Sequence, residues 1–146
     1  MFKRLAPLAL GVLMITVLSC QTTAMNSQSD ARAHPLLGSW EMVSGRWTFP
    51  DGTVRTADTT QLRSLKVVGP GRFVFITNRT DGMFVRAAGG RYTISGNTYS
   101  EHLDQASDAD MRNDTYTFTW RVDGDTWFHT GEHEGLRLEE VWRRVR

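Results

Sequence analysis

Cysteine is almost absent from these 146 residues: Cys20 stands alone, so no internal disulfide can form, and no Cys/His spacing matches a structural zinc site. A charge excess is missing as well, with 17 basic against 16 acidic residues. That balance offers no polyanion-binding face, and nucleic acid is not expected as a partner. Nucleophile motifs, metal signatures and phosphate loops are also lacking, so no cofactor is expected. Helical periodicity has few places to appear: only Thr56 to Ser64 suits a helical turn, and Asp104 to Asn113 reads as the one long loop. The length allows a single domain with a core that needs no staples.

At the N-terminus Lys3 and Arg4 precede an apolar run from Leu5 to Leu18, interrupted by Pro7, Gly11 and Thr16. The run is short for a membrane span and has the make-up of an export leader. It ends in Val17-Leu18-Ser19-Cys20, which resembles the lipobox of bacterial lipoproteins, with Leu18 bulkier than the usual residue there. The resemblance implies removal of residues 1–19, acylation of Cys20 and membrane anchoring through that lipid. Gln21 in place of Asp implies the outer membrane of a Gram-negative envelope. An ordinary signal peptide cut near Ala24 is the alternative. Without Lys3 and Arg4 the chain keeps 15 basic against 16 acidic residues, close to −1. Residues 20–34 are polar and read as a tether.

Residues 35–146 form the expected domain. Turn residues such as Asp51-Gly52, Gly69-Pro70-Gly71, Asp81-Gly82, Gly89-Gly90, Gly96-Asn97 and Asp123-Gly124 punctuate short alternating runs, as in successive hairpins. The expectation is an all-β antiparallel meander of eight to ten strands, near 38–48, 62–68, 72–78, 83–88, 91–95, 98–103, 115–122, 125–130 and 135–145. A sheet of that size with one apolar face does best by closing into a barrel.

Hairpin parity assigns faces, because sliding a two-residue turn by one position moves the pairing by two. Across Gly96-Asn97, Ile94 faces Tyr99 and Tyr92 faces Glu101, on the apolar, inner side. Across Asp123-Gly124, Trp120 is expected opposite Trp127 and Phe118 opposite His129. The same parity carries Leu136, Leu138, Glu140, Trp142 and Arg144 inward. A three-residue Gly69-Pro70-Gly71 connection would pair Val67 with Phe73 and Leu65 with Phe75.

Polar groups on an inner face require partners, since a lone buried charge costs several kcal/mol or titrates away. One reading is a cavity whose aromatic wall and polar cluster orient a ligand: Phe75, Tyr92, Tyr99, Glu101, Phe118, Trp120, Trp127, His129 and Glu140 are the candidates. The other is a closed network, such as Glu101 with Arg144 or Glu101 with Tyr and His, that fixes register.

Gly38-Ser39-Trp40 resembles the Gly-x-Trp opening of lipocalins, whose Trp closes one barrel end beside an Arg of the last strand. Arg143 or Arg144 is the implied partner of Trp40. The segment Gly89-Gly90-Arg91-Tyr92-Thr93-Ile94-Ser95-Gly96-Asn97-Thr98-Tyr99-Ser100-Glu101-His102, with the terminal Glu140-Val141-Trp142-Arg143-Arg144-Val145, is similar to a family of bacterial lipocalin-like domains. The likeness spans nearly all of residues 36–145 and implies a calycin-type barrel. The fatty-acid-binding pattern ends in Arg-x-Tyr, whereas this chain ends in Val-Trp-Arg-Arg-Val-Arg. The leading expectation is a carrier of a small hydrophobic or amphipathic molecule. The alternatives are an enzyme using Glu101 and His129 as acid and base, or an envelope accessory protein whose outer wall docks a partner.

Overall fold

The computed structural model describes residues 34–146; the expected leader, Cys20 and nearly all of the tether lie outside them. Nine strands follow in order: β1 Gly38–Thr48, β2 Val54–Asp58, β3 Leu62–Gly69, β4 Arg72–Arg79, β5 Phe84–Ser95, β6 Thr98–Ala106, β7 Thr115–Asp123, β8 Thr126–His133 and β9 Leu136–Val145. Each pairs antiparallel with a neighbour, and β9 returns to pair along β1. Closure removes the open edges that a sheet of this size would expose. Eight strands form the barrel, and β2 is an extra strand hydrogen-bonded to the second half of β1.

The expected meander is present, with corrections. The expected strands 83–88 and 91–95 merge into one strand, β5, which begins at Phe84 and carries a bulge between Gly89 and Arg91 instead of a turn. A Cβ on Gly90 would lie 1.9 Å from the His102 carbonyl oxygen, so the close approach there requires glycine. Thr56 to Ser64 is not helical: β2 and β3 meet across a short turn. The long loop is shorter than expected, because β6 runs to Ala106 and a 3-10 turn occupies Ala109–Met111.

Parity holds where turn length was read correctly or wrong by an even step. Ile94 is opposite Tyr99 and Tyr92 opposite Glu101, as expected. In the next hairpin the turn is Gly124-Asp125, so Trp120 lies opposite His129 and Phe118 opposite Gly131. That two-residue slide leaves every face unchanged, and Trp127 and His129 are fully buried. Between β3 and β4 the turn is Pro70-Gly71 alone, with Gly71 at φ 68°. Pairing is therefore Val68 with Phe73 and Lys66 with Phe75. A one-residue error inverts the faces of β3: Leu65 and Val67 point outward and Lys66 points in, while Phe73 and Phe75 of β4 stay inside as expected.

One barrel end is closed. Trp40 is fully buried and donates its indole N–H to the Leu36 carbonyl at 2.8 Å. Arg144 stacks 4.1 Å from the Trp40 ring and donates to the carbonyls of Leu37 and Pro35 at 2.8 and 2.6 Å. These bonds strap residues 35–37 across the barrel, the role the lipocalin resemblance gave to Trp40 and an Arg. Gly38, at φ 127°, makes room: a Cβ there would sit 2.9 Å from the Arg144 guanidinium. Arg143 instead faces outward toward Glu41.

Candidate functional site

Above the closed end the barrel holds a cavity of about 670 Å³. Its deep part is a layer of ionisable side chains from four strands: Lys66 of β3, Glu101 of β6, His129 of β8 and Glu140 of β9. Met42, Trp47, Leu62, Phe75, Leu103, Phe118, Leu138 and Trp142 form apolar walls around this layer, Met42 and Trp142 on the side of the closed end, and Arg55, Arg79 and Arg86 stand at the rim.

Lys66 and Glu101 form a buried ion pair, Nζ to Oε1 2.7 Å, each side chain 4% exposed. Five aromatic rings, those of Phe73, Phe75, Phe118, Trp127 and Trp142, surround the ammonium at 5.2–6.0 Å. Their negative faces offset part of its lost hydration. Beside the pair, Ser64 and Thr77 share a hydroxyl hydrogen bond of 2.7 Å.

Glu140 is held differently. Trp47 Nε1 donates to its Oε1 at 3.2 Å and Trp142 Nε1 to its Oε2 at 3.1 Å, and His129 Nδ1 lies 3.5 Å from Oε2. Burial alone would push this carboxyl up, but the nearby His129 ring, the Lys66 charge and the Trp47 N–H outweigh it and bring its pKa down to about 2. His129 is fully buried, and neither ring nitrogen has a hydrogen-bond partner among the described residues. Burial, then the Lys66 charge, push its pKa below the ordinary 6.5, so the ring is neutral at neutral pH.

Both groups oppose folding in acid. Below about pH 6.5 the unfolded chain binds a proton at His129 that the barrel resists, and from about 4.5 down to 2 it binds one at Glu140 likewise. Stability falls wherever the unfolded state binds more protons. Thermal midpoints are expected to drop in two stages on acidification, and His129→Gln to shrink the upper stage; part remains because burial also lowers the His34 pKa. Midpoints that are flat from pH 7 to 5 contradict this.

Of the nine candidate site residues, Phe75, Glu101, Phe118, His129 and Glu140 line the cavity. The other four do not. Tyr99 and Trp127 are fully buried in the floor, 5.6 Å apart edge to face. Burial and then the Glu101 charge hold the Tyr99 phenol well above its ordinary pKa, hence neutral. Tyr92 bonds the Gly69 carbonyl at 2.9 Å, and Trp120 packs on His34 at the closed end. The network partner proposed for Glu101 is also corrected: it is Lys66, not Arg144, which stays with Trp40.

The partners of the two buried carboxylates, Lys66 and Trp47, are not legible from strand alternation. Lys66 was hidden by the inverted β3 face, although it is the sole lysine after Lys3 in a chain whose other basic residues are all arginine. Trp47 was hidden by a β1 bulge between Met42 and Ser44, which moves the inner face from even to odd positions. Gly45 signals it, since a Cβ there would meet the Trp47 ring at 2.4 Å. Among the described residues no group of three His, Cys, Asp or Glu side chains is placed to hold a metal ion.

Closed antiparallel strands, a Trp/Arg-sealed end and an open aromatic cavity define a lipocalin-like barrel. The chain is similar in fold to a lipocalin-like protein of Bacteroides uniformis, with TM-score 0.50 and 20% identity over 75% of this chain and 98% of that one. Weaker similarity extends to an uncharacterized protein of Bacteroides eggerthii, TM-score 0.48, 18% identity, covering 75% and 98% of the two chains. A de novo designed fluorescence-activating β-barrel is also similar, TM-score 0.45, 20% identity, covering 79% and 96%. No protein-family model matches the chain, and no curated protein matches it significantly.

Proposed function

We propose that this protein binds a small amphipathic molecule in the barrel cavity and works at the cell envelope, anchored through acylated Cys20. The observation that carries the binding reading is the cavity itself: about 670 Å³, apolar in its walls, with one cluster of ionisable groups in its depth and arginines at its rim. That is the usual composition of a small-molecule site, in which apolar surface supplies affinity and a few polar groups set orientation. The anchoring reading rests on the lipobox-like Val17-Leu18-Ser19-Cys20 and is checked by mass spectrometry of the N-terminal peptide from an expressing Gram-negative host. Glu101 and His129 both line the cavity, but Glu101 is engaged by Lys66 and His129 faces Glu140, which weighs against an acid/base pair made of those two.

Nile red, neutral and apolar, is expected to bind one per chain with enhanced emission. Leu138→Trp, which fills space between the walls, should abolish that uptake while preserving the fold. Unchanged uptake in Leu138→Trp would place the dye elsewhere and remove the cavity from the account.

One observation favours a second reading, docking through the outer wall. Leu65, Val67, Val74 and Ile76 are 38–51% exposed and sit in register, Leu65 opposite Ile76 and Val67 opposite Val74, making an apolar patch on β3 and β4. If it is a self-association face, Ile76→Lys should shift sedimentation toward monomer and leave Nile red uptake intact. A wild-type protein that sediments as a monomer at all concentrations discards that form of the reading.

A further inference from the structure

We propose that the cavity selects an organic amine, bound as its ammonium against Glu140 with its apolar body running up the walls toward the rim. The inference rests on the cavity being a ligand site and adds the charge of the ligand.

The interior charges of the layer do not cancel. Lys66 and Glu101 neutralise one another at 2.7 Å. Glu140 then has no cation of its own: its oxygens accept from two neutral indoles, and the ring 3.5 Å away is a neutral imidazole. The depth of the cavity therefore holds one uncompensated negative charge. Its surroundings hold Glu140 ionised, and when a ligand displaces solvent from the cavity the head group that meets this charge gains most if it is a cation. A ligand ammonium would bring the layer to neutrality, a ligand carboxylate would double the excess, and a neutral head would leave it unchanged.

The unused hydrogen-bonding capacity has the matching sign. A carboxylate offers about four lone-pair sites, and the two indole N–H groups occupy two of them. His129, fully buried on the cavity wall with both ring nitrogens unpartnered, retains an acceptor nitrogen in its neutral form. An ammonium supplies up to three donors, and the free lone-pair sites of Glu140 can accept from it.

The wall also suits a cation. It already holds one ammonium, that of Lys66, among aromatic faces at 5.2–6.0 Å. Trp47, Trp142 and Phe118 border the same space and give a second cation comparable quadrupolar attraction. The rim arginines, Arg55, Arg79 and Arg86, stand apart from this layer. Arg79 is paired with Asp81 at 3.1 Å, with its side chain 60% exposed. Along β9 the rim residue Leu136 is four positions from Glu140, roughly 13 Å at 3.3 Å per residue.

The test uses three ligands with one skeleton: 2-naphthylethylamine, 2-naphthylethanol and 2-naphthylacetate, titrated by calorimetry at pH 7.5 alongside Nile red. The amine is expected to bind at least ten-fold more tightly than the alcohol, and the carboxylate most weakly. Glu140→Gln should reduce the amine to the level of the alcohol and leave the alcohol unchanged. An amine that binds no better than the alcohol, or not at all, in a barrel that still takes up Nile red overturns the amine inference and leaves the cavity reading standing. Failure of all three ligands and of Nile red overturns both. Amine preference that survives Glu140→Gln contradicts Glu140 as the head site. The wild-type series decides the main point even if Glu140→Gln does not fold.

Discussion

Lys66→Met is expected to destabilise the barrel by about 3–5 kcal/mol, the range for removing one partner of a buried ion pair. The substituted side chain has similar length and fits the same aromatic surround, so the loss is electrostatic: Glu101, 3% exposed, is left beside Glu140 with no interior cation. Glu101→Leu takes away the 2.7 Å partner of Lys66 but leaves Glu140 as an anion in the same layer, so its cost should be smaller. The double variant Lys66→Met/Glu101→Leu removes both desolvation penalties and should recover most of the stability, because apolar replacements of buried pairs are often neutral or better. Urea denaturation of the four proteins closes the cycle. Additive losses in the double variant would mean that the two side chains do not act on each other as the 2.7 Å contact requires.

The second large effect belongs to the closed end. Trp40→Ala removes a fully buried indole, its bond to Leu36 and the ring on which Arg144 stacks. A loss of about 3–5 kcal/mol is expected for such a truncation, measured by chemical denaturation. Because residues 35–37 are strapped through Trp40 and Arg144, the floor should also loosen. Hydrogen exchange at the buried Trp127 indole should accelerate under native conditions in Trp40→Ala, and to a lesser degree in Arg144→Ala. Unaltered exchange in both would show that the strap contributes nothing to sealing the barrel.

The fold was largely readable from the chain because turn residues mark most hairpins and alternation sorts their faces. The β5/β6 hairpin is the clear case, with Ser95 opposite Thr98 across Gly96-Asn97 and apolar residues on one side only. The β7/β8 hairpin was misplaced by two residues without consequence, since faces repeat with period two. The β3/β4 hairpin failed because both of its faces are apolar: Val68, Phe73 and Phe75 inside, Leu65, Val67, Val74 and Ile76 outside. Alternation then gives no vote, and the turn length alone decides. Pro-Gly as a two-residue turn, with glycine at positive φ, was the overlooked cue.

That single inversion governed how much of the site could be seen. Glu101, His129 and Glu140 were found by parity, but Lys66, which gives the layer its charge balance, sat on the misassigned strand. Bulges hid the rest: the one in β1 places Trp47 on Glu140, and the one in β5 joins two expected strands. β2 was invisible for a different reason: its five residues are mostly exposed and pair with β1 alone, so no buried face marks it. Aromatic residues inside the barrel were also divided by height, which alternation does not record. Tyr99 and Trp127 became floor, while Phe75 and Phe118 became wall.

The most direct measurement is an indole N–H spectrum of the 15N-labelled protein, titrated with 2-naphthylethylamine. The five tryptophans give five reporters at known heights: Trp47 and Trp142 on Glu140, Trp127 in the floor, Trp40 at the seal and Trp120 against His34. Occupancy above the Lys66–Glu101 layer should move the Trp47 and Trp142 signals and leave Trp40 and Trp120 in place. Perturbation confined to Trp120 or Trp40, with Trp47 and Trp142 silent, would contradict a ligand site in the barrel.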